Sequence, residues 1–407
     1  KREGNNWAWL VPIMLFISSA WAFRLGLVKA NALSLAMLMV LLVCLQRQWR
    51  WRLFIMQVLY VWLYGGWILG WGVVGLWWLI HFFWPGSRGT FWQRLNRQQT
   101  GVMILVVLAA TISGVVLHPN WPANFWLYWQ QIVQIGLFDQ AASLNAGAEW
   151  FPLDRTQLLT FHLYVFPLVL SVLATTIFYY RRWQPRQWLH LVLALVFIVF
   201  TYRSRRYIEL SVPLVLIAAL DIFHQTFPGL TFRRIGNSIL SFRGKAGSLV
   251  RIYVCLFIII FLPLFVIISL RDLTITRTML AQRGFPLEGL RPEMEWLSQN
   301  APVGARIFHT HWDWWPMLFY YNSQNYYLVG LDPTFMYNHD PDLYRLYQDI
   351  TEGRVVDNLH NVIREQFGTD YVLIGHANKA FDELAQANPH FLLGYQGYSA
   401  RIYVIQD

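Results

Sequence analysis

The stretch Tyr202-Arg203-Ser204-Arg205-Arg206-Tyr207-Ile208-Glu209-Leu210 lies between two apolar runs, residues 188–201 and 210–220. Long apolar runs that flank a short charged stretch are typical of helices that meet a membrane boundary. Three arginines at such a boundary cost free energy unless they stay hydrated, form ion pairs or bind an anion. This stretch therefore predicts a helical membrane fold and a candidate anion site.

The composition of the whole chain agrees with a membrane fold. Of its 407 residues, 56% are hydrophobic and only 13% are charged, against about 25% charged residues in soluble proteins. The net charge of +10 comes from basic residues in short loops between apolar runs, a pattern that sets membrane topology and does not indicate nucleic-acid binding. Cys44 and Cys255 lie inside apolar runs, so we expect no disulfide.

The apolar runs predict about nine membrane spans in a domain of residues 1–270. The run 53–84 is too long for one crossing, and Gly65-Gly66 near its middle predicts a break. The predicted spans are residues 7–23, 31–45, 53–64, 67–84, 101–117, 160–180, 188–201, 207–223 and 250–270.

With this division, most basic residues fall on the cytoplasmic side. The loop 118–159 falls outside and carries one basic residue, Arg155. The arginines at 203–206 fall outside too, which makes them the main exception to the charge rule, while Arg24 and Lys29 form a smaller one. The aromatic residues of the outer loop, from Trp121 to Trp129, recur at helical spacing and predict a helix in the membrane interface; the alternative is an aromatic belt anchor.

Residues 271–407 have the composition of a soluble domain, which we expect on the outer side of the membrane. Strands are predicted at 305–309, 326–329 and 371–374, and a hairpin or edge strand at 396–405. Helices are predicted at 294–300, 342–353 and 354–367. The fold class is thus a polytopic α-helical membrane protein with a C-terminal soluble α/β domain.

The arginines are the first candidate site. On a continuous helix, Arg203 and Arg206 would share a face, and Arg205 would pair with Glu209 four residues later. A guanidinium fork suits phosphate oxygens, so Arg203, Arg205 and Arg206 are candidates for binding the phosphate of a membrane-borne polyprenyl carrier. The alternative is a structural ion pair with the other arginines reaching lipid headgroups.

Glu149 is the second candidate, on the same predicted side of the membrane. Its carboxylate is suited to accept a proton, to help hold a divalent cation such as Mg²⁺ or Mn²⁺, or to bind the hydrogen-bond donors of an acceptor. The alternative is a solvated loop carboxylate.

The outer domain offers two weaker candidates. His309, His311 and Asp313 alternate along a predicted strand and would form a metal set on one face, and Trp312 with Asp313 suggests a platform for an acceptor. Asp332 follows another predicted strand. The alternatives are a hydrogen-bonded turn at the histidines and a structural Asp-Pro turn at Asp332.

Six segments of the chain carry a resemblance to a known family, namely residues 62–70, 118–122, 148–152, 205–209, 312–314 and 330–334. In these segments the chain resembles bacterial membrane glycosyltransferases of the GT-C architecture, distantly similar to the oligosaccharyltransferase catalytic subunit and the protein mannosyltransferases.

The resemblance implies transfer of a sugar from a polyprenyl-phosphate donor to an acceptor on the outer face, with membrane lipids as further partners. In such enzymes a carboxylate in the first outer loop is catalytic, and the loop 24–30 contains none. Because the chain begins at Lys1, we expect that loop to lie in a missing N-terminal part. The alternative from another class is a non-catalytic membrane protein, either a carrier-lipid flippase or transporter, or a scaffold.

Overall fold

The computed structural model gives two compact units, which are described separately. The first comprises residues 1–139 and 149–278, and the second comprises residues 140–148 and 279–407. The sequence placed the domain boundary at 270, inside the helix Leu262–Gln282. The structure describes residues 15, 19–26, 30–84, 100–137, 147–159, 161–162, 165–166, 168–169, 172, 181, 183–226, 262–282, 287–330 and 332–406.

The described part of the first unit is helical. Its α-helices are α1 (Ser19–Gly26), α2 (Asn31–Gln46), α3 (Arg50–Leu63), α4 (Ile68–Phe83), α5 (Thr100–Val116), α6 (Ala123–Tyr128), α7 (Pro185–Arg203), α8 (Ile208–Thr226) and α9 (Leu262–Gln282). A π-helical segment, Trp129–Leu137, continues α6, and 3₁₀ turns occur at Ala148–Trp150 and Arg205–Tyr207.

Six of the predicted spans correspond to these helices, from α2 to α5 and at α7 and α8. The predicted break at Gly65-Gly66 is confirmed: Tyr64 is extended, and a turn at residues 65–67 separates α3 from α4. Predicted spans 7–23, 160–180 and 250–270 lie largely outside the described residues, as does Cys255.

Close helix packing in the first unit depends on small residues. A Cβ at Gly114 of α5 would lie 2.9 Å from Cβ of Val61 on α3, so only glycine allows this approach. Beside it, Thr111 accepts hydrogen bonds from Gln57 and Trp71. The three helices α3, α4 and α5 are thereby joined by a buried polar contact as well as by apolar packing.

Among the described residues, one helix, Pro185–Arg203, is long and apolar enough to cross a membrane; Asn31–Gln46, Ile68–Phe83 and Gly101–Val116 are shorter apolar helices. The polytopic arrangement stays a prediction. The helix predicted in the outer loop is present as α6, and Trp121, Phe125, Trp126 and Trp129 are exposed around it.

The second unit combines helices with one sheet. After a 3₁₀ turn, Leu287–Leu290, its elements are α10 (Arg291–Asn300), β1 (Arg306–His309), α11 (Trp315–Tyr321), β2 (Tyr326–Tyr327), α12 (Pro333–His339), α13 (Pro341–Thr351), α14 (Leu359–Phe367), β3 (Tyr371–Gly375), α15 (Lys379–Ala387), β4 (Phe391–Gln396) and β5 (Ala400–Ile405).

The five strands form a sheet in the order β2-β1-β3-β5-β4. β2, β1 and β3 are parallel, whereas β5 is antiparallel to both β3 and β4. Phe308 in β1 is fully buried and meets Phe367 and Phe381 edge to face. Aromatic side chains thus join β1 to α14 and α15.

Strand β4 lies at the edge of the sheet and is irregular. Its register against β5 shifts between Leu393 and Tyr395, at Gly394. A Cβ at Gly394 would lie 2.6 Å from the ring of Trp296, so a β-bulge here requires glycine.

Candidate functional site

The three arginines lie where two helices are interrupted. α7 ends at Arg203, Ser204 is extended (φ −148°, ψ 127°), and α8 begins only at Ile208. The predicted continuous helix is therefore wrong, and with it the shared face of Arg203 and Arg206. A serine that bonds to nearby backbone favours such a break, because it offers the chain an alternative to helical hydrogen bonds.

Ser204 also connects this break to the turn that carries Glu149. Its Oγ donates to the carbonyl of Glu149 (2.9 Å) and accepts from the N–H of Arg206 (3.4 Å). The N–H of Arg205 donates to the carbonyl of Phe151 at 3.0 Å. These backbone contacts fix the position of Glu149 relative to the arginines.

Arg205 contacts carbonyl oxygens and not a carboxylate. Its Nε lies 3.5 Å from the carbonyl oxygen of Phe151 and its Nη2 lies 3.4 Å from that of Pro152. The carboxylate of Glu209, which we predicted to pair with Arg205, accepts from Arg24 instead. Arg203, at the end of α7, is exposed.

Of the three predicted arginines, Arg206 is the one that the structure brings near Glu149. Its Nη2 donates to the hydroxyl of Tyr64 (2.8 Å), its guanidinium lies 4.6 Å from the ring centroid of Trp150, and its Nη1 is 3.9 Å from Oε1 of Glu149. The side chain remains 21% exposed. Stacking and a hydroxyl thus orient the guanidinium while part of it remains accessible.

Arg24 lies between two carboxylates. Its Nε donates to Oε1 of Glu209 (2.8 Å), a second nitrogen also contacts that oxygen, and Nη1 donates to Oε2 of Glu149 (3.0 Å). Asn31 donates to the same Glu209 oxygen at 3.0 Å. Arg24 and Glu209 are each only 7% exposed in their side chains.

We call Arg24, Glu149, Arg206 and Glu209 the arginine–glutamate cluster. It holds two cations and two anions, so its formal charges cancel. Glu209 is the buried end of the cluster, whereas Glu149 and Arg206 are the more accessible end, at 18% and 21% exposure. A carboxylate and a guanidinium that are already fixed in place can meet a polar ligand with little rearrangement.

Arg24, Tyr64 and Trp150 were not among the predicted site residues. Arg24 did carry a signal, because an arginine beside an apolar run, like those at 203–206, is costly and needs a partner. The partner is 185 positions away in the sequence. Helical spacing therefore gave no means of finding it.

His309 occupies a structural position in the second unit. It is fully buried; Nδ1 donates to the carbonyl of His311 (3.0 Å), and Nε2 accepts from the N–H of Val329 (3.3 Å). Tyr347 donates to its carbonyl at 2.8 Å. Burial lowers the pKa of His309 from 6.5 to about 4, so the ring is neutral and both nitrogens are engaged.

The structure brings Nδ1 of His311 to 3.9 Å from Oδ1 of Asp313 but does not place His309 with them as a third metal ligand. β1 ends at His309, and a 3₁₀ turn, Trp312–Trp314, follows, so the alternation of a strand does not continue to Asp313. His311 stacks on Trp314 at 4.3 Å, and burial lowers its pKa. Asp313 is exposed, and Trp312 is partly buried.

Asp332 caps a helix. Its Oδ1 accepts from the N–H (3.0 Å) and the hydroxyl (2.6 Å) of Thr334, with Pro333 as the first residue of α12. This is the structural Asp-Pro turn that the sequence left open. Asp332 also borders a cavity of about 220 Å³ within the second unit, together with Arg306 and Phe335.

The described residues do not by themselves fit a divalent cation. No group of three His, Cys, Asp or Glu side chains among them is placed to hold one. In the arginine–glutamate cluster, both carboxylates already accept hydrogen bonds from Arg24, which a cation would have to displace. A cation at this site stays a prediction.

Comparison with solved structures identifies a similar fold. The crystal structure of the Archaeoglobus fulgidus oligosaccharyltransferase in its apo form aligns with a TM-score of 0.52 at 10% identity, covering 93% of this chain and 57% of that chain. The archaeal oligosaccharyltransferase AglB from the same organism, in complex with an inhibitory peptide and a dolichol-phosphate, aligns with a TM-score of 0.46 at 11% identity, covering 97% and 56%.

Neither a protein-family model nor a curated protein sequence matches this chain. At 10% identity the first alignment establishes a likeness of fold, and this chain spans 57% of the length of that oligosaccharyltransferase. The fold of this chain is therefore similar to that of the Archaeoglobus fulgidus oligosaccharyltransferase.

Proposed function

We propose that this chain is part of a membrane glycosyltransferase that moves a sugar from a polyprenyl-phosphate-linked donor to an acceptor on the outer face of a bacterial cytoplasmic membrane. The fold similarity supports this class. The observation that carries the proposal is that two partly exposed side chains of opposite charge, Arg206 and Glu149, lie 3.9 Å apart within one fixed cluster.

Arg206 binds the donor phosphate. In glycosyl transfer the bond between the sugar carbon and the phosphate oxygen breaks, and negative charge accumulates on the leaving phosphate. A guanidinium that is already oriented by Tyr64 and Trp150 stabilises that charge without having to reorganise. Arg203 and Arg205 add positive potential on the same short stretch of chain.

Glu149 binds the acceptor. Its carboxylate is held by Arg24 on one oxygen and approached by Arg206 at the other. It accepts a hydrogen bond from the attacking O–H or N–H group of the acceptor, which orients that group toward the sugar carbon. The Arg24–Glu209 pair keeps Glu149 in place.

The first test compares binding of a polyprenyl phosphate to the full chain and to the variant Arg206→Gln. We expect the apparent Kd to rise by about 10-fold or more, because a charge-assisted hydrogen bond to phosphate is lost. Isothermal titration calorimetry in detergent measures this difference. Arg271→Gln removes the same charge from an exposed position in α9 and serves as the control.

Two outcomes would contradict the proposal. Equal binding by the wild-type chain and Arg206→Gln would show that Arg206 does not bind the donor phosphate. Normal binding without sugar transfer, in a preparation that contains any natural N-terminal extension, would assign the chain to the non-catalytic carrier-lipid proteins.

A further inference from the structure

A second feature of the first unit lies apart from the arginine–glutamate cluster. α2 and α3 form an antiparallel hairpin, and an open cavity of about 400 Å³ runs along it near its turn. We call it the hairpin groove. Its lining from the two helices includes Met39, Val40, Val43, Arg52, Ile55 and Met56.

The groove is apolar along its length. Val40, Val43 and Ile55 expose about half of their side chains there, and its helical walls otherwise present methionine and cysteine. From Cys44 back to Met39, the part of α2 that lines the groove rises about 7.5 Å at the helical rise per residue. The groove thus offers an apolar path between one and two helical turns long, which is enough for part of an acyl chain.

The turn at the mouth of the groove is strongly cationic. Arg47, Arg50 and Arg52 lie within six residues, and Trp49 and Trp51 alternate with them. The guanidinium of Arg52 lies 4.1 Å from the ring centroid of Trp49, and that of Arg47 lies 5.8 Å from it. The indole ring thus holds two of the cations at the end of the groove.

No acid lies close to this turn along the sequence, and Asp221, which is linked to Gln46 through His190, is already paired with Arg186. Between Glu3 and Asp139 the chain contains neither aspartate nor glutamate. Elsewhere in the first unit, by contrast, Arg186 is paired with Asp221 and Arg24 with Glu209. The arginines of the turn are therefore suited to an anion that comes from outside this part of the chain.

We propose that the hairpin groove binds one anionic phospholipid of the cytoplasmic leaflet. Part of an acyl chain lies along Val40, Val43 and Ile55, and the headgroup phosphate contacts Arg52, the arginine that lines the groove. A single molecule of this class satisfies both halves of the site, because it joins a long apolar chain to an anion. The arginine-rich turn falls on the cytoplasmic side by the charge rule. The proposal depends on membrane insertion of the hairpin and not on sugar transfer.

Other occupants fit the groove less well. A peptide would bring backbone N–H and C=O groups, for which the apolar lining offers few partners. A neutral phospholipid would fill the apolar path but would leave the arginines without a net countercharge. Free phosphate would meet the arginines but not use the groove.

The experiment is a lipid titration of the purified full chain, followed by native mass spectrometry. The probes are phosphatidylglycerol, phosphatidylcholine with the same acyl chains, and inorganic phosphate. We expect one phosphatidylglycerol to bind saturably and the apparent Kd to rise by about 10-fold in Arg52→Gln, where one charge-assisted contact is lost.

Two matched variants separate a built site from general attraction. Arg50→Gln removes the same charge from the same turn, but Arg50 does not line the groove, so its effect should be several-fold smaller. Val43→Phe fills the groove and should weaken binding, whereas Val199→Phe adds the same bulk at an exposed position of α7 outside the groove and should not.

Each contrary result overturns the proposal in a recognisable way. Equal binding of the two phospholipids excludes headgroup recognition. Equal losses of phosphatidylglycerol affinity in Arg50→Gln and Arg52→Gln indicate that the lipid responds only to the overall positive potential of the turn. Binding of inorganic phosphate with the affinity of phosphatidylglycerol, unaffected by Val43→Phe, indicates an anion site without an acyl chain. Thermal midpoints of the variants, measured in parallel, confirm that each is folded.

Discussion

At the scale of single residues, Arg24 connects the two carboxylates of the arginine–glutamate cluster. The charge pattern of the sequence does not explain this position. Arg24 is buried and donates to Glu209 and Glu149. Removing one partner of a buried ion pair leaves the other charge without compensation, which typically costs about 3–5 kcal/mol. The pair therefore matters as a unit.

Glu209→Gln should accordingly lower the thermal midpoint of the solubilised full chain by several degrees. Replacing both members, as in Arg24→Met with Glu209→Leu, should restore much of the loss, because no uncompensated charge remains. Circular dichroism melting in detergent follows both variants. Equal losses in the single and double variants would show that the two side chains do not act as a pair.

His309 gives the second unit a dependence on pH. Its pKa is about 4 in the folded protein, lowered from 6.5 by burial. Between these values the unfolded chain binds a proton that the folded domain does not, so the free energy of unfolding falls as pH decreases from about 6.5 to about 4. The full difference between the two pKa values corresponds to about 3 kcal/mol.

Amide hydrogen exchange of strands β1 and β3 in the full chain, corrected for the intrinsic pH dependence of exchange, measures this effect. Protection should decrease through that pH window in the wild-type chain and decrease less in His309→Asn. A residual decrease is expected in the variant, since burial lowers the pKa of His311 as well. Identical pH profiles would show that His309 is not the titrating group.

At the scale of elements, the turn between α3 and α4 supports the candidate site. Tyr64 ends α3 and accepts from Arg206. A Cβ at Gly66 would lie 2.4 Å from Cε1 of Tyr64, whereas one at Gly65 would lie 3.5 Å from its nearest neighbour. The Tyr64 ring can occupy its position because residue 66 has no Cβ, whereas a Cβ at residue 65 would not clash.

Gly66→Ala should therefore displace Tyr64 and weaken polyprenyl-phosphate binding by a few-fold, as Tyr64→Phe should, because one hydrogen bond to Arg206 is lost. Gly65→Ala places its methyl group at an ordinary contact distance and should bind as the wild type does. Calorimetric titration of the three variants tests this. Equal affinities of Gly66→Ala and Gly65→Ala for polyprenyl phosphate would contradict the prediction that the turn between α3 and α4 positions Tyr64 for the candidate site.

The elements were more predictable than the contacts between them. Long apolar runs and the glycine pair located the helices from α2 to α5, because periodicity and breakers act within a few residues. The predicted shared face of Arg203 and Arg206 was wrong because the helix is interrupted at Ser204, whose side chain caps the following turn. The i,i+3 and i,i+4 spacings apply only to a continuous helix. The metal set at His309 failed in the same way, because β1 ended before Asp313.

At the scale of the whole molecule, composition predicted a helical region and a mixed C-terminal domain, and the structure has both among its described residues. From the sequence we predicted only that Glu149 and Arg206 lie on the same side of the membrane, and not that they lie close together. Its geometry depends on pairings across more than a hundred residues, such as that of Arg206 with Tyr64. Neither spacing nor hydropathy encodes pairings of that length.

The irregular edge strand of the second unit has a consequence for copies of this protein that meet in solution or in a crowded membrane. A straight edge would expose an unbroken row of backbone donors and acceptors, which a neighbouring chain can extend into a continuous intermolecular ribbon. The extra residue at Gly394 interrupts that row halfway along β4, so Leu392 and Leu393 can remain exposed there without templating a fibril.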